Sequence, residues 1–186
     1  MIPLDKSEIP PEKRNDPRLA EWEEAVSKGI QNTSYRVGVC LHEAAHAIYL
    51  ERCGACCVTL HVAVALYDAQ SDRYEASVAA VRPSFGKERA LVDLDELARA
   101  YAAGGVAKRL LIADDTWMEE GGDQTDFRIF AAEASKSGLP VEEISRRWEQ
   151  AKRDVEKDLR SPALRLQIWD RAREFEKQIL RHAADR

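Results

Sequence analysis

The run His42-Glu43-Ala44-Ala45-His46 constrains this chain more than any other feature, because its chemistry works only if the surrounding segment is an α-helix. At about 100° per residue, His42 and His46 fall one above the other on a single face, where both rings can reach one metal ion. Glu43 lies one step around from His42, so its carboxylate can reach a water at that metal without taking a ligand position, as a general base does. The segment from Ser34 to Arg52 meets the helical requirement. Val37, Leu41, Ala44, Ala45, Ile48 and the stem of Arg52 recur at three- and four-residue intervals, with no Pro and only Gly38 inside the run. Ser34 is the expected N-cap, and Gly54, just past the last periodic residue, the expected stop. The competing explanation is an ordinary amphipathic helix that carries two histidines by chance.

Two imidazoles do not complete a metal site. A catalytic zinc takes three protein ligands and leaves the fourth position open, so a third must come from elsewhere in the chain. His61 sits in an apolar strand and His182 near the end of the sequence, and both read as structural or surface residues. Among the carboxylates Asp126 stands out. It follows Gly121-Gly122 and falls in the first turn of a predicted helix, where the dipole favours an ionised carboxylate. A helix-start acid with no further role fits the same pattern.

At 186 residues the chain accommodates one domain with appended helices. A net charge of −5 and the lack of a dense Lys/Arg block argue against nucleic acid or an anionic membrane as partner. The best apolar run, Cys56–Leu66, is too short to cross a bilayer and contains His61. Met1–Lys6 lacks the apolar core of a secretion signal, so a cytoplasmic location is expected. Three of the four cysteines, Cys53, Cys56 and Cys57, crowd the end of the motif helix, with Cys40 inside it. Such crowding does not suit a disulfide framework, and the expectation is small, partly buried free thiols. A redox Cys53-x-x-Cys56 pair, or a second metal site of Cys57 with His61, is the weaker alternative.

Composition and periodicity predict a mainly α fold with a small β-sheet (α+β). Residues 1–15 read as a flexible N-terminal arm, residues 16–140 as the main domain and 141–186 as a helical hairpin packed on it. A first helix is expected near Pro17–Gly29. Cys57–Leu66 and Tyr74–Arg82 read as a β-hairpin whose edge can hold an extended peptide by main-chain hydrogen bonds. Leu94, Leu97, Ala98, Tyr101, Ala102, Val106 and Leu110 form the stripe of a helix over Leu91–Ile112, in which Gly104-Gly105 permit close approach of the motif helix. After a loop through Asp114–Gly122, another helix runs to Ser137 and stops at Gly138 and Pro140. Ser161-Pro162 breaks the last third into two amphipathic helices, expected as an antiparallel hairpin, with self-association through their stripe as the alternative.

His42-Glu43-Ala44-Ala45-His46-Ala47 resembles the H-E-A-G-H-A of the FtsH-type zinc peptidase family, the proteolytic domain of AAA proteases. The order of later elements is similar too: Val58-Thr59-Leu60-His61-Val62, then Ala103-Gly104-Gly105-Val106-Ala107, then Gly122-Asp123-Gln124-Thr125-Asp126-Phe127. The last of these looks like the family's G-A-x-N-D-[LI], whose Asp is the third zinc ligand, and by that match Asp126 inherits the ligand role. The similarity covers most of residues 34–182 and implies a zincin-like peptidase domain. Three departures stand out. Ala45 replaces a Gly, Lys108-Arg109 stand where the family has an acidic pair, for which Asp114 and Asp115 are the available substitutes, and no ATPase module or transmembrane segment accompanies the motifs.

The expected function is therefore a zinc metallopeptidase, with His42, His46 and Asp126 holding Zn²⁺ and Glu43 as the catalytic base. By itself the chain is expected to act without ATP on flexible peptides or unfolded protein. A homo-oligomer and an ATPase partner in trans stay open. The alternatives are a zinc-binding but catalytically weak or inactive interaction protein, and a helical scaffold with no metal.

Overall fold

The computed structural model describes residues 2–68, 72–85, 93–112 and 122–185. After a 3-10 turn at Pro11–Lys13, helix α1 (Arg18–Gln31) leads into the motif helix α2 (Thr33–Arg52). Strands β1 (Cys57–Asp68) and β2 (Arg73–Ser84) follow, then α3 (Leu94–Ile112), α4 (Gly122–Lys136), α5 (Val141–Asp158) and α6 (Pro162–Ala184). The chain is thus mainly helical with one two-stranded antiparallel sheet. Among the described residues no helix is long and apolar enough to cross a membrane.

Helix α2 is the axis of the molecule. Every residue from Gly38 to Leu50 is buried, so this is a helix enclosed on all sides rather than one with a wet face. It packs against α1, α3, α6 and the hairpin. Its N-cap is Asn32, whose side chain accepts the Tyr35 N–H at 3.1 Å; Ser34, the expected cap, lies inside the first turn. Gly54 terminates it with φ 95°, a left-handed conformation that glycine adopts without the Cβ clash of other residues. Tight contact with α3 depends on glycine as well. A Cβ on Gly38 would lie 2.9 Å from Lys108 Cε, and one on Gly104 would collide with the motif histidines. Each glycine costs about 1 kcal/mol of helix propensity relative to Ala, a loss that close packing offsets.

The first fifteen residues are not a free arm. Ile2, Leu4 and Ile9 are buried, and Asp5 pairs with the outer side of β1, donating to the Ala63 carbonyl at 2.6 Å and accepting from the Ala65 N–H at 3.0 Å. Ala63 is itself in the left-handed region (φ 55°) at a break in the ladder between the pairs Val62↔Ala79 and Val64↔Ser77. Sparse but regularly placed apolar residues anchor the segment, which its Pro and charge content hid.

The last two helices also depart from expectation. Rather than packing along each other as a hairpin, α5 lies on α3 and α4, and α6 lies on α2. Ile144, Trp148 and Ala151 join Ala98, Ala102, Phe130 and Ala134 in one cluster, while Leu164, Ile168, Ala172, Phe175 and Ile179 join the core around α2. An amphipathic stripe shows that a helix has one buried face, not which neighbour buries it. At the break, Ser161 occupies the N-cap with Pro162 behind it, and the Ser161 side chain makes no capping bond.

Candidate metal centre

Two turns of α2 bring the Nε2 atoms of His42 and His46 to 2.8 Å from each other, with the rings edge to face at 82°. Helix α4 supplies Asp126 from the start of its second turn, one turn later than expected because the helix begins at Gly122, and its Oδ2 lies 3.3 Å from each Nε2. His42, His46 and Asp126 are the one group of three His, Cys, Asp or Glu side chains among the described residues whose ligand atoms converge as a metal site requires. His42 and His46 are 8% and 5% exposed, so bulk water does not solvate this polar cluster.

The surroundings fit a cation at this point. His46 donates its Nδ1–H to the Ala100 carbonyl at 2.7 Å, because a carbonyl can only accept. That bond leaves the Nε2 lone pair aimed at His42 and Asp126, the arrangement by which metal-binding histidines are held in one tautomer. Burial alone would raise the Asp126 carboxyl, yet the His46 and His42 imidazoles beside it hold it well below the usual carboxylate range. Burial also works to keep His46 neutral, but Asp126, aided by Glu43 and the Ala100 carbonyl, outweighs it and raises the ring's pKa to about 9. The same convergence of Asp126 on the two rings that favours a proton on His46 favours a metal ion, which would compete with that proton for the three Lewis bases.

Gly104 on α3 completes the enclosure. A Cβ at this position would land on His46 Nε2 and lie 2.7 Å from His42 Cε1 and Nδ1, so the rings occupy the space that a side chain would need. Behind Asp126, Phe130 stacks on Trp148 with centroids 5.9 Å apart, and Phe127 meets the same indole edge-on at 5.5 Å, which ties α4 to α5. Across the site, Glu75 of β2 accepts from Arg128 at 2.6 Å, and Arg128 also donates to Thr125 Oγ1 at 3.0 Å.

Glu43 points into the same space without joining the ligands. Its Oε1 is 4.0 Å from His42 Nε2, while Oε2 accepts the backbone N–H of Val81 at 2.8 Å. Burial raises its pKa, against the pull of the His42 and His46 imidazoles and of the Val81 N–H. All four side chains line a cleft of about 850 Å³ whose walls are β2 and the first turns of α4, with Trp22, Tyr35 and Tyr101 on its apolar surface.

His61 and His182 are not brought to this centre: His61 pairs opposite Ala80 in the hairpin, 3.8 Å from Asp5, and His182 lies in the last turn of α6. Cys57 with His61 forms no metal group. All four cysteines are free thiols, and Cys56 and Cys57 are exposed rather than partly buried. Lys108, in the position of an expected acid, is buried with its Cε toward Gly38, and Arg109 pairs with Glu156. Asp114 and Asp115 lie outside the described residues. Sequence reasoning did not single out the Val81 N–H, the Ala100 carbonyl or the Glu75–Arg128 pair. The first two are backbone groups that every residue carries, and the third joins residues 53 positions apart.

Comparison of the chain with protein-family models, with curated proteins and with solved structures finds no match.

Proposed function

We propose that this protein is a zinc metallopeptidase, a zincin-like domain similar to the FtsH-type peptidases, acting on flexible or unfolded polypeptide. The observation that carries the reading is the convergence of His42, His46 and Asp126, with one oxygen of Glu43 directed at the same point from outside the ligand set. Asp126 Oδ2 lies 3.3 Å from each ring nitrogen, near the roughly 3.3–3.4 Å edge of a tetrahedron with zinc-like bonds of about 2.0–2.1 Å, while the two Nε2 atoms, at 2.8 Å, would have to move apart by about half an ångström to reach it. Two nitrogens and a carboxylate suit zinc among the common metals, and three ligands leave a fourth position.

When bound, zinc supplies Lewis acidity that makes a water acidic near neutral pH and polarises a carbonyl. The chain's own residues supply the rest. Glu43, buried and not a ligand, accepts the proton of the attacking water at Oε1 and delivers it to the departing amine. Gly104 keeps the back of the site dry by letting α3 close on the rings. The cleft of about 850 Å³ is lined by residues of β2 and by the apolar rings of Trp22, Tyr35 and Tyr101, which suits an extended peptide laid along the strand.

The test compares wild type with Glu43→Gln on casein and on quenched peptides, with the zinc content of both proteins measured. Equal zinc and a loss of at least about 100-fold in kcat for the variant is the expected result. Equal activity with zinc bound would remove Glu43 from the reaction. The buried Lys108, basic where the resembled family is acidic, favours a second reading, a zinc-stabilised interaction protein without efficient turnover. That reading predicts bound zinc and no cleavage of any peptide pool by the wild type.

A further inference from the structure

The Glu43–Val81 contact joins the residue expected to move the proton to a backbone group of another element. Glu43 is 8% exposed, and its terminal torsion is intrinsically soft, so neither bulk water nor a steep rotamer well fixes the plane of its carboxylate. Helix α2 sets the position of its Cα. What sets the orientation of the carboxylate is the Val81 N–H, 2.8 Å from Oε2 and turned out of the ladder toward α2.

We propose that the Val81 N–H is the positioning group of the general base, and that it dictates which oxygen of Glu43 takes the proton. This rests on the peptidase reading above. With one lone pair of Oε2 engaged by the amide, the oxygen with both lone pairs open is Oε1, which faces His42 Nε2 at 4.0 Å. Glu43 stands outside the group of converging ligand atoms, and the separation leaves room for one water to touch both Oε1 and that group. Rotation of the carboxylate would exchange the two oxygens or swing Glu43 toward the ligand set, and a hydrogen bond to an ionised carboxylate resists that rotation.

The location on β2 supports the assignment. Two residues further on, Pro83 has no N–H to offer, and the Ser84 carbonyl is turned to the β1 side, where it accepts from Cys56 at 2.8 Å. At this end of β2 the Val81 N–H is therefore the strand's donor toward α2. One consequence follows for substrate: a peptide lying along β2 does not pair with Val81, since its N–H belongs to the base. Removing that N–H should leave KM where it is and lower kcat.

The experiment replaces Val81 with its α-hydroxy acid, which exchanges the amide for an ester, deletes the N–H and keeps the side chain while weakening the Ala80 carbonyl as an acceptor, in the full chain loaded with zinc. Val81→Pro makes the same deletion by simple mutagenesis, and Val81→Ala, which keeps the N–H, is the rescue control. Zinc affinity is read by competition with a chromophoric chelator, and kcat and KM on a quenched peptide. The proposal expects the ester and Val81→Pro to hold zinc within about threefold of wild type, with KM within about twofold and kcat lower by about tenfold or more, the scale of one charge-assisted hydrogen bond. Val81→Ala should match wild type. Unchanged kcat in the ester protein overturns the proposal, as does a raised KM with kcat intact, which would give the N–H to substrate instead. If zinc-loaded wild type cleaves no peptide, the peptidase reading itself falls, and if Glu43→Gln retains full activity, Glu43 leaves the reaction; both outcomes are separate from these.

Discussion

At the scale of single residues, the centre depends as much on what is missing as on what is present. Gly104 donates nothing, yet its hydrogen lies where a methyl group would strike both rings. Gly104→Ala should therefore abolish tight zinc binding and lower stability by about 1–3 kcal/mol, as overpacking does, measured by chelator competition and thermal unfolding. Gly38→Ala is the comparison. Its Cβ would meet Lys108 Cε at 2.9 Å, on a flexible chain that can give way, so metal binding should survive. The thiols make a second test. Burial pushes Cys40 up to about 12 and Cys53 up to about 11, and only the thiolate reacts, so both should resist alkylation at pH 8, with the partly buried Cys53 gaining reactivity as pH rises. Cys56 and Cys57, both exposed, should label first, with Cys40 modified only after unfolding; mass spectrometry of timed samples gives the order. The histidines and Glu43 were legible in the sequence because their spacing is the helix's own repeat. The role of Gly104 at the rings was not, since only the docking of α3 on α2 determines which of its residues meets them.

At the scale of elements, the convergence of Asp126 with the two histidines is a property of how α4 is held. Asp126 is near the start of that helix, and its distance from the histidines is set by two attachments: the Phe127–Phe130–Trp148 stack on α5 and the Glu75–Arg128 pair on β2. These differ greatly in strength. Trp148→Ala should cost about 3–5 kcal/mol of stability and weaken zinc binding by releasing α4, seen as a lower Tm and a faster loss of metal to chelator. Arg128→Ala breaks an ion pair of two half-exposed side chains, worth no more than about 1 kcal/mol, and should leave Tm nearly unchanged while widening the cleft between β2 and α4. Helix and strand spans were legible to within a few residues, because periodicity and the stops at Gly54, Gly138 and Pro162 are local. Partners were not. The stripes of α5 and α6 predicted a hairpin, whereas Trp148 found Phe130 and Ile168 found the core around α2.

At the scale of the whole molecule, the metal would be a structural cross-link as well as a reagent, since α2 and α4 both contribute ligands and residues 46 and 126 are far apart in the chain. Binding that occurs only in the folded state stabilises it by about 4 kcal/mol at a thousandfold excess over Kd. For a chain of this size that corresponds to a Tm shift on the order of 10 °C. A chelator should thus lower Tm by that amount and added zinc restore it, while the same treatment of Asp126→Asn should move Tm little. A chelator without effect on wild type that has been shown to contain zinc would remove the cross-linking role. The sequence alone determined the helix, the face shared by His42 and His46, and the carboxylate beside them, because all three follow from a repeat of 3.6 residues. It also marked Asp126, by its place at a helix start. Only the tertiary structure decided that Asp126 reaches the rings, that Gly104 gives them room, that the Val81 N–H meets the Glu43 carboxylate, and that the segment from Ile2 to Ile9 is fastened to β1 and the core. Those are contacts between elements, and a linear pattern records which faces are apolar without recording which of them meet.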